Sequence, residues 1–179
     1  MIQIVNRIAE CLDSTHTLRP RGDNTEGEVI HRWSIDGADA KSIADIERTM
    51  PALGSRMTYT FVVRPHGLIE QALPLDVLGW HAKGYSRTWV GIVCVGDFRH
   101  HPMPPVQYDS LVDLLAMLSQ RRGSINVRGH DQLDGGSADP NKECPGRLLS
   151  IPDLHESVKL WLRSQATNTL AQAGVVFRS

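Results

Sequence analysis

Residues 129–146 read GHDQLDGGSADPNKECPG and hold a histidine, His130, a cysteine, Cys144, and a lysine, Lys142, two positions ahead of the cysteine. Imidazole and thiolate are metal-ligating groups, and an ammonium beside them could stabilise developing negative charge. The plainer alternative is a polar surface loop with an ordinary thiol, because two ligands do not complete a metal site. A third donor must come from elsewhere in the chain. Histidines stand at positions 16, 31, 66, 81, 100, 101, 130 and 155. His31 lies in the apolar run VIHRW, where a lone histidine is more often a hydrogen-bonded core residue than a ligand. Together, His31, His130 and Cys144 offer two nitrogens and one sulfur with a fourth position open. Catalytic zinc uses such a set, whereas structural zinc fills all four positions. Zinc is borderline-soft and accepts both imidazole and thiolate.

These residues need elements to hold them. The segment 29–33 reads as a short strand with Val29, His31 and Trp33 on one face, because strand side chains alternate. INVRGH, 125–130, is a second strand, running into His130. Between them, MTYTFVV (57–63) is rich in β-branched and aromatic residues, and LIEQAL (68–73) can pair back on it as a hairpin. WVGIVCV (89–95) has the continuous apolar character of a strand buried on both faces, with Cys94 as a core filler.

Helices alternate with these strands. Ile4, Val5, Ile8 and Leu12 have helical spacing, predicting an amphipathic helix over the first dozen residues with Cys11 on its core face. Residues 38–50 have helical composition and are stopped by Pro51. A third helix opens at Pro104 and Pro105, carries a stripe of Tyr108, Leu111, Val112, Leu115 and Leu118, and ends at Gly123 behind Arg121 and Arg122. Residues 151–165 form a last helix, followed by a loose tail. The expected class is α/β: one domain over residues 1–166, a central mixed sheet flanked by helices, and a C-terminal tail over 167–179.

Bulk composition narrows the function. A chain of 179 residues suits one domain with its own core. The formal charge of -1 and a pI near 6.7 provide no broad basic surface, so nucleic acid is not an expected partner. Three cysteines form no disulfide framework and suit a reducing compartment. The N-terminus lacks a basic start followed by an apolar run, and no segment approaches the ~20 apolar residues that span a membrane. Synthesis in the cytoplasm without a signal peptide, and no membrane insertion, are the expectations.

Four pieces, VIHRW, TYTFVVRPHGLIEQA, GWHAKGYSRTWVGIVCVGDF and GHDQL…KECPG, occur in an order and spacing that resemble the zinc-dependent type-2 N-acetylmuramoyl-L-alanine amidases. That superfamily includes the peptidoglycan recognition proteins and the small phage amidases, and the similarity covers about residues 28–160. The resemblance implies the amidase fold, Zn2+ as cofactor, and His31, His130 and Cys144 as its ligands. It implies Tyr59 and Lys142 as catalytic residues and His81, with Trp80 beside it, as substrate-groove residues. The implied substrate is peptidoglycan or a muropeptide, and the implied state is a monomer.

The implied chemistry is coherent. An amide is a poor electrophile with a poor leaving group. Its hydrolysis needs an activated water, which zinc provides by lowering the pKa of water to about 7. It also needs a stabilised oxyanion, for which one hydrogen-bond donor is worth about 3–4 kcal/mol. Lys142 or Tyr59 could pass a proton to the departing amine.

The departures from the family sort its branches. Muropeptide-recycling amidases use an aspartate as third ligand and a glutamate in the strand matching VGIVCVG. Here the corresponding residues are Cys144 and Val93, which sides with the phage and recognition-protein branch. Arg32 stands where many relatives carry a second histidine, and alternation points it to the opposite strand face. The interval from His130 to Cys144 is longer than in the phage branch. Three functions stay open at this point: a catalytic amidase, as a phage endolysin acting on the wall after release or as a cytoplasmic recycling enzyme; a non-catalytic peptidoglycan-binding module; and a small α/β protein with a structural zinc or none.

Overall fold

The computed structural model describes residues 2–12, 16, 18–22, 24–50, 57–133 and 143–172. Its strands are β1 (Ile4–Asn6), β2 (Gly27–Trp33), β3 (Phe61–Val63), β4 (Ile69–Gln71), β5 (Trp89–Val95) and β6 (Val127–Gly129). Its helices are α1 (Ile8–Cys11), α2 (Ala40–Arg48), α3 (Pro105–Arg122) and α4 (Ile151–Gln172). The strands form one sheet in the order β1-β4-β3-β5-β2-β6. The β3–β4 hairpin is antiparallel and every other pairing is parallel, so the sheet is mixed.

All seven residues of β5 are buried, as the unbroken apolar run predicts for a central strand covered on both faces. On one face, Ile30, Ile92 and Cys94 pack against Leu111, Leu114 and Leu115 of α3 and Leu154 and Val158 of α4. Each of these leucines stabilises the fold by roughly 1.5–3 kcal/mol through burial. Gln107, at the start of α3, lies wholly inside and donates to the carbonyls of Val63 and Val95, both at 2.9 Å. The other face carries Val62, Val93 and Val95 against Ile43 and Ala44 of α2. Asp39 caps α2 by accepting from the Ser42 N–H at 2.7 Å, and buried Glu70 accepts from the Ala40 N–H at 3.1 Å. The site described below lies on this second face.

Several boundaries differ from the sequence expectation. The first dozen residues are not one helix. Ile4–Asn6 pair in parallel with Ile69–Gln71, and only one helical turn follows. The β-branched Ile4 and Val5 suit a strand, and the Asn6 Oδ1 accepts from the Ile8 N–H at 3.0 Å, closing the strand and starting the turn. Residues 57–60 lie outside β3, which begins at Phe61, and β6 is three residues long, with His130 already in a 3-10 turn. The last helix runs to Gln172, across the boundary expected at 166, so the first residues of the expected tail are helical. Pro51 and Lys142 lie outside the described residues.

Candidate active site

Sheet register assembles the cluster. In β2, His31 is level with Val93 of β5, and its neighbour Ile30 is level with Gly129 of β6. His130, the next residue after Gly129, therefore comes alongside His31, with ring centroids 4.5 Å apart. Cys144 arrives from the turn that follows. The Asp131 N–H donates to the Cys144 carbonyl at 2.8 Å, and the Leu148 N–H to the Phe98 carbonyl at 2.9 Å, so the turn is tied to the ends of both β6 and β5. Gly129 is required for this approach: a Cβ there would lie 2.8 Å from Pro145 Cδ and 2.5 Å from the Asp131 carboxylate.

His31, His130 and Cys144 each present a donor atom, and these atoms lie within 4.8 Å of one another. Among the described residues no other such cluster of three is present. The Cys144 Sγ is 3.8 Å from the His31 Nδ1. Two ligands bound tetrahedrally at the usual zinc–nitrogen and zinc–sulfur lengths would stand roughly 3.6 Å apart, so the geometry fits the ion.

Proton positions reinforce the fit. The Trp89 carbonyl can only accept, so the His81 Nε2, 2.9 Å away, carries a hydrogen. Burial above all holds His81 neutral, pushed down to about 4. Its Nδ1 is therefore an acceptor, and the His31 Nε2, 3.1 Å away, must donate to it. Burial first, then the neighbouring histidines, holds His31 well below the usual imidazole range. A neutral His31 with its hydrogen on Nε2 leaves an Nδ1 lone pair facing Cys144. A backbone carbonyl thus fixes, through two imidazoles, the tautomer a metal needs. Burial also lowers His130, and it raises the Cys144 thiol against the opposing effects of the Arg32 N–H and guanidinium.

His81, which the resemblance implies as a substrate-groove residue, makes its hydrogen bonds to His31 and the Trp89 carbonyl. It is 7% exposed and lies beneath the cluster, flat against β5 at Gly91. A Cβ at Gly91 would meet the His81 Cγ at 2.5 Å, which is why an otherwise apolar central strand carries a glycine there. Trp80 is half-buried, its backbone N–H donating to the Met57 carbonyl at 2.9 Å, and the Arg19 guanidinium sits 5.7 Å from its ring centre. Tyr59 is on the cluster side, its ring 5.2 Å from His31 and 6.3 Å from Trp33. Burial, with help from Glu47 and Cys144, pushes its phenol far above the usual range, so it stays a hydrogen-bond donor. Val93 is fully buried in the core beneath.

The place of Glu47 and the reach of Arg32 escaped the sequence reading. Glu47 of α2 is 1% exposed, accepts from the Thr58 N–H at 3.2 Å, and is pushed up by burial to about 7. Arg32 leaves β2 on the opposite face, yet its Nε donates to the Glu143 carbonyl at 2.8 Å, and its Nη1 bonds Ser34 and lies 3.5 Å from Asp97. It therefore braces the residue before Cys144. No motif signals either role, because each depends on a helix or turn distant in sequence.

A family model described as N-acetylmuramoyl-L-alanine amidase matches residues 21–147, and the chain belongs to that family. It is 35% identical over 79 residues to an endolysin of Klebsiella phage KP32, covering 41% of this chain and 52% of that protein. It is 30% identical over 115 residues to peptidoglycan-recognition protein LB of Drosophila melanogaster, covering 62% of this chain and 45% of that one. The chain spans about half the length of these curated relatives. In fold it is similar to the N-acetylmuramoyl-L-alanine amidase LysC of Clostridium intestinale, with a TM-score of 0.74, 21% identity, and coverage of 89% of this chain and 99% of that one.

Proposed function

We propose that this chain is a zinc-dependent peptidoglycan amidase of endolysin type, cutting the amide between the lactyl group of N-acetylmuramic acid and L-alanine. The observation that carries the reading is the His31–His130–Cys144 cluster, with His31 locked by His81 in the tautomer that presents a free Nδ1. Those three residues would hold the ion. The chemistry zinc supplies when bound there is Lewis acidity toward the amide carbonyl and an acidified water.

The chain's own groups do the rest. Tyr59, kept neutral, donates a hydrogen bond where negative charge develops on the former carbonyl oxygen. Lys142 is assigned the adjacent positive charge by its place two residues before Cys144. Trp80 offers an apolar wall for the sugar or stem peptide. His81 is assigned the orientation of His31 in place of substrate contact. A binding module without catalysis is the alternative suggested by the recognition-protein relative, and the thiol at Cys144, completing the ligand set, favours the enzyme.

The test is a mass spectrum of the soluble products released from peptidoglycan, with and without a zinc chelator. Free stem peptides beginning at L-alanine, lost with chelator and restored by zinc, are expected. Cleavage between sugars, or none in the zinc-loaded protein, would overturn the assignment.

A further inference from the structure

The opposite side of the sheet holds a second concentration of charge. A cavity of about 530 Å³ opens beside the start of β2 and the end of α3, and its wall includes Arg21, Asn24, Thr25, Glu28, Arg121 and Arg122. Glu28 alternates with Val29 and His31 along β2, facing α3, so this cavity and the ligand cluster lie across the sheet from one another. Among the described residues of the wall, three guanidiniums meet one carboxylate. Glu28, wholly buried, is engaged through both oxygens by Arg122, at 2.5 and 3.0 Å. Arg21 and Arg121 remain as the charge excess.

Arg21 is the informative one. It is 8% exposed, and its Nη2 donates to the Leu75 carbonyl. Its Nη1 is buried with no hydrogen-bond partner among the described residues. A buried cationic donor left unmatched is costly, and guanidinium forks match the paired oxygens of an oxyanion. Exposed Asp76, whose field reaches Arg21, is not part of the cavity wall. Arg121 is exposed at the rim, and the Asn24 and Thr25 side chains add uncharged hydrogen-bonding groups.

We propose that this cavity binds a phosphate group between Arg21 and Arg121. An excess of two positive charges matches a phosphate monoester, which bears about −1.5 to −2 at neutral pH, better than a singly charged carboxylate. The site lies across the sheet from the ligand cluster, and the charge of its Arg21 reaches the His81 side chain.

The test is a calorimetric titration of the full zinc-loaded chain with inorganic phosphate, repeated with acetate and with Arg121→Gln. Saturable phosphate binding is expected, weakened about tenfold or more by Arg121→Gln. The thermal midpoint without phosphate and the rate of peptidoglycan cleavage should be unchanged in that variant. Since Arg121 is across the sheet from the metal cluster, phosphate bound at the zinc would be insensitive to the substitution. Equal binding by the variant, no saturable binding by the parent chain, or acetate binding as tightly as phosphate would each overturn the proposal.

Discussion

At the scale of residues, the account rests on which atoms carry hydrogens. The Trp89 carbonyl, His81 and His31 form a chain in which each step fixes the next, and it ends on a His31 Nδ1 lone pair facing Cys144. Replacing His81 with leucine leaves the His31 Nε2–H unpaired and frees the ring to turn. Zinc affinity measured by competition with a chromophoric chelator should fall about 10–100-fold in His81→Leu, the usual cost of losing an outer partner of a metal-bound histidine. Unchanged affinity would return His81 to the groove role expected from sequence.

Glu47 gives a second residue-scale prediction, on stability. Its folded-state value of about 7 lies above the ordinary 4.5, so the native state holds a proton that the unfolded chain releases between those values. The associated stability is fully present below about pH 4.5 and is lost as pH rises through 7, by at most about 3 kcal/mol. Glu47→Gln can still accept from the Thr58 N–H but has no proton to lose. Buried neutral His31, His81 and His130 give both chains the opposite trend, so denaturant unfolding across that window should show the parent losing stability relative to Glu47→Gln as pH rises, and a difference that does not change with pH would contradict the assignment.

At the scale of elements, the strands explain why distant residues meet. His31 and His130 are far apart in sequence but adjacent because β2 and β6 pair in register, and the alternation of VIHRW already put His31 on the correct face. The strands in the middle of the chain and α3 were legible because their patterns are strong: a continuous apolar run, a hairpin, and a proline-to-glycine helix. The N-terminus was not, since Ile4, Val5, Ile8 and Leu12 satisfy helical spacing while the partner that makes Ile4–Asn6 a strand lies more than sixty residues away, in β4. Arg32 shows the same limit. Alternation sent it correctly to the far face, but only the fold reveals that it reaches back to the Glu143 carbonyl. Arg32→Met removes that brace and its links to Ser34 and Asp97 while keeping most of the side-chain volume. Zinc affinity should fall about tenfold or more with little loss of thermal stability, and an unchanged affinity would mean that the turn holds Cys144 without the arginine.

At the scale of the molecule, the sheet separates two chemistries. The face toward α2 carries the histidines, the thiol and Tyr59; the face toward α3 carries the core leucines and, at its edge, the arginine-rich cavity. The meeting of His31, His130 and Cys144 could be expected from the chain because residue type and order carry it, whereas the arginine cavity could not, since Arg21, Glu28 and Arg121 belong to no shared pattern. Amidase-family membership and the fold are settled by the match over residues 21–147 and by the sheet itself, so the central claim that needs direct measurement is the metal centre. X-ray absorption at the zinc edge, on the zinc-loaded chain and on Cys144→Ser, addresses it. The account predicts one sulfur at about 2.3 Å and two imidazole nitrogens at about 2.0–2.1 Å, with the sulfur lost in Cys144→Ser. A first shell without sulfur in the parent chain would contradict it.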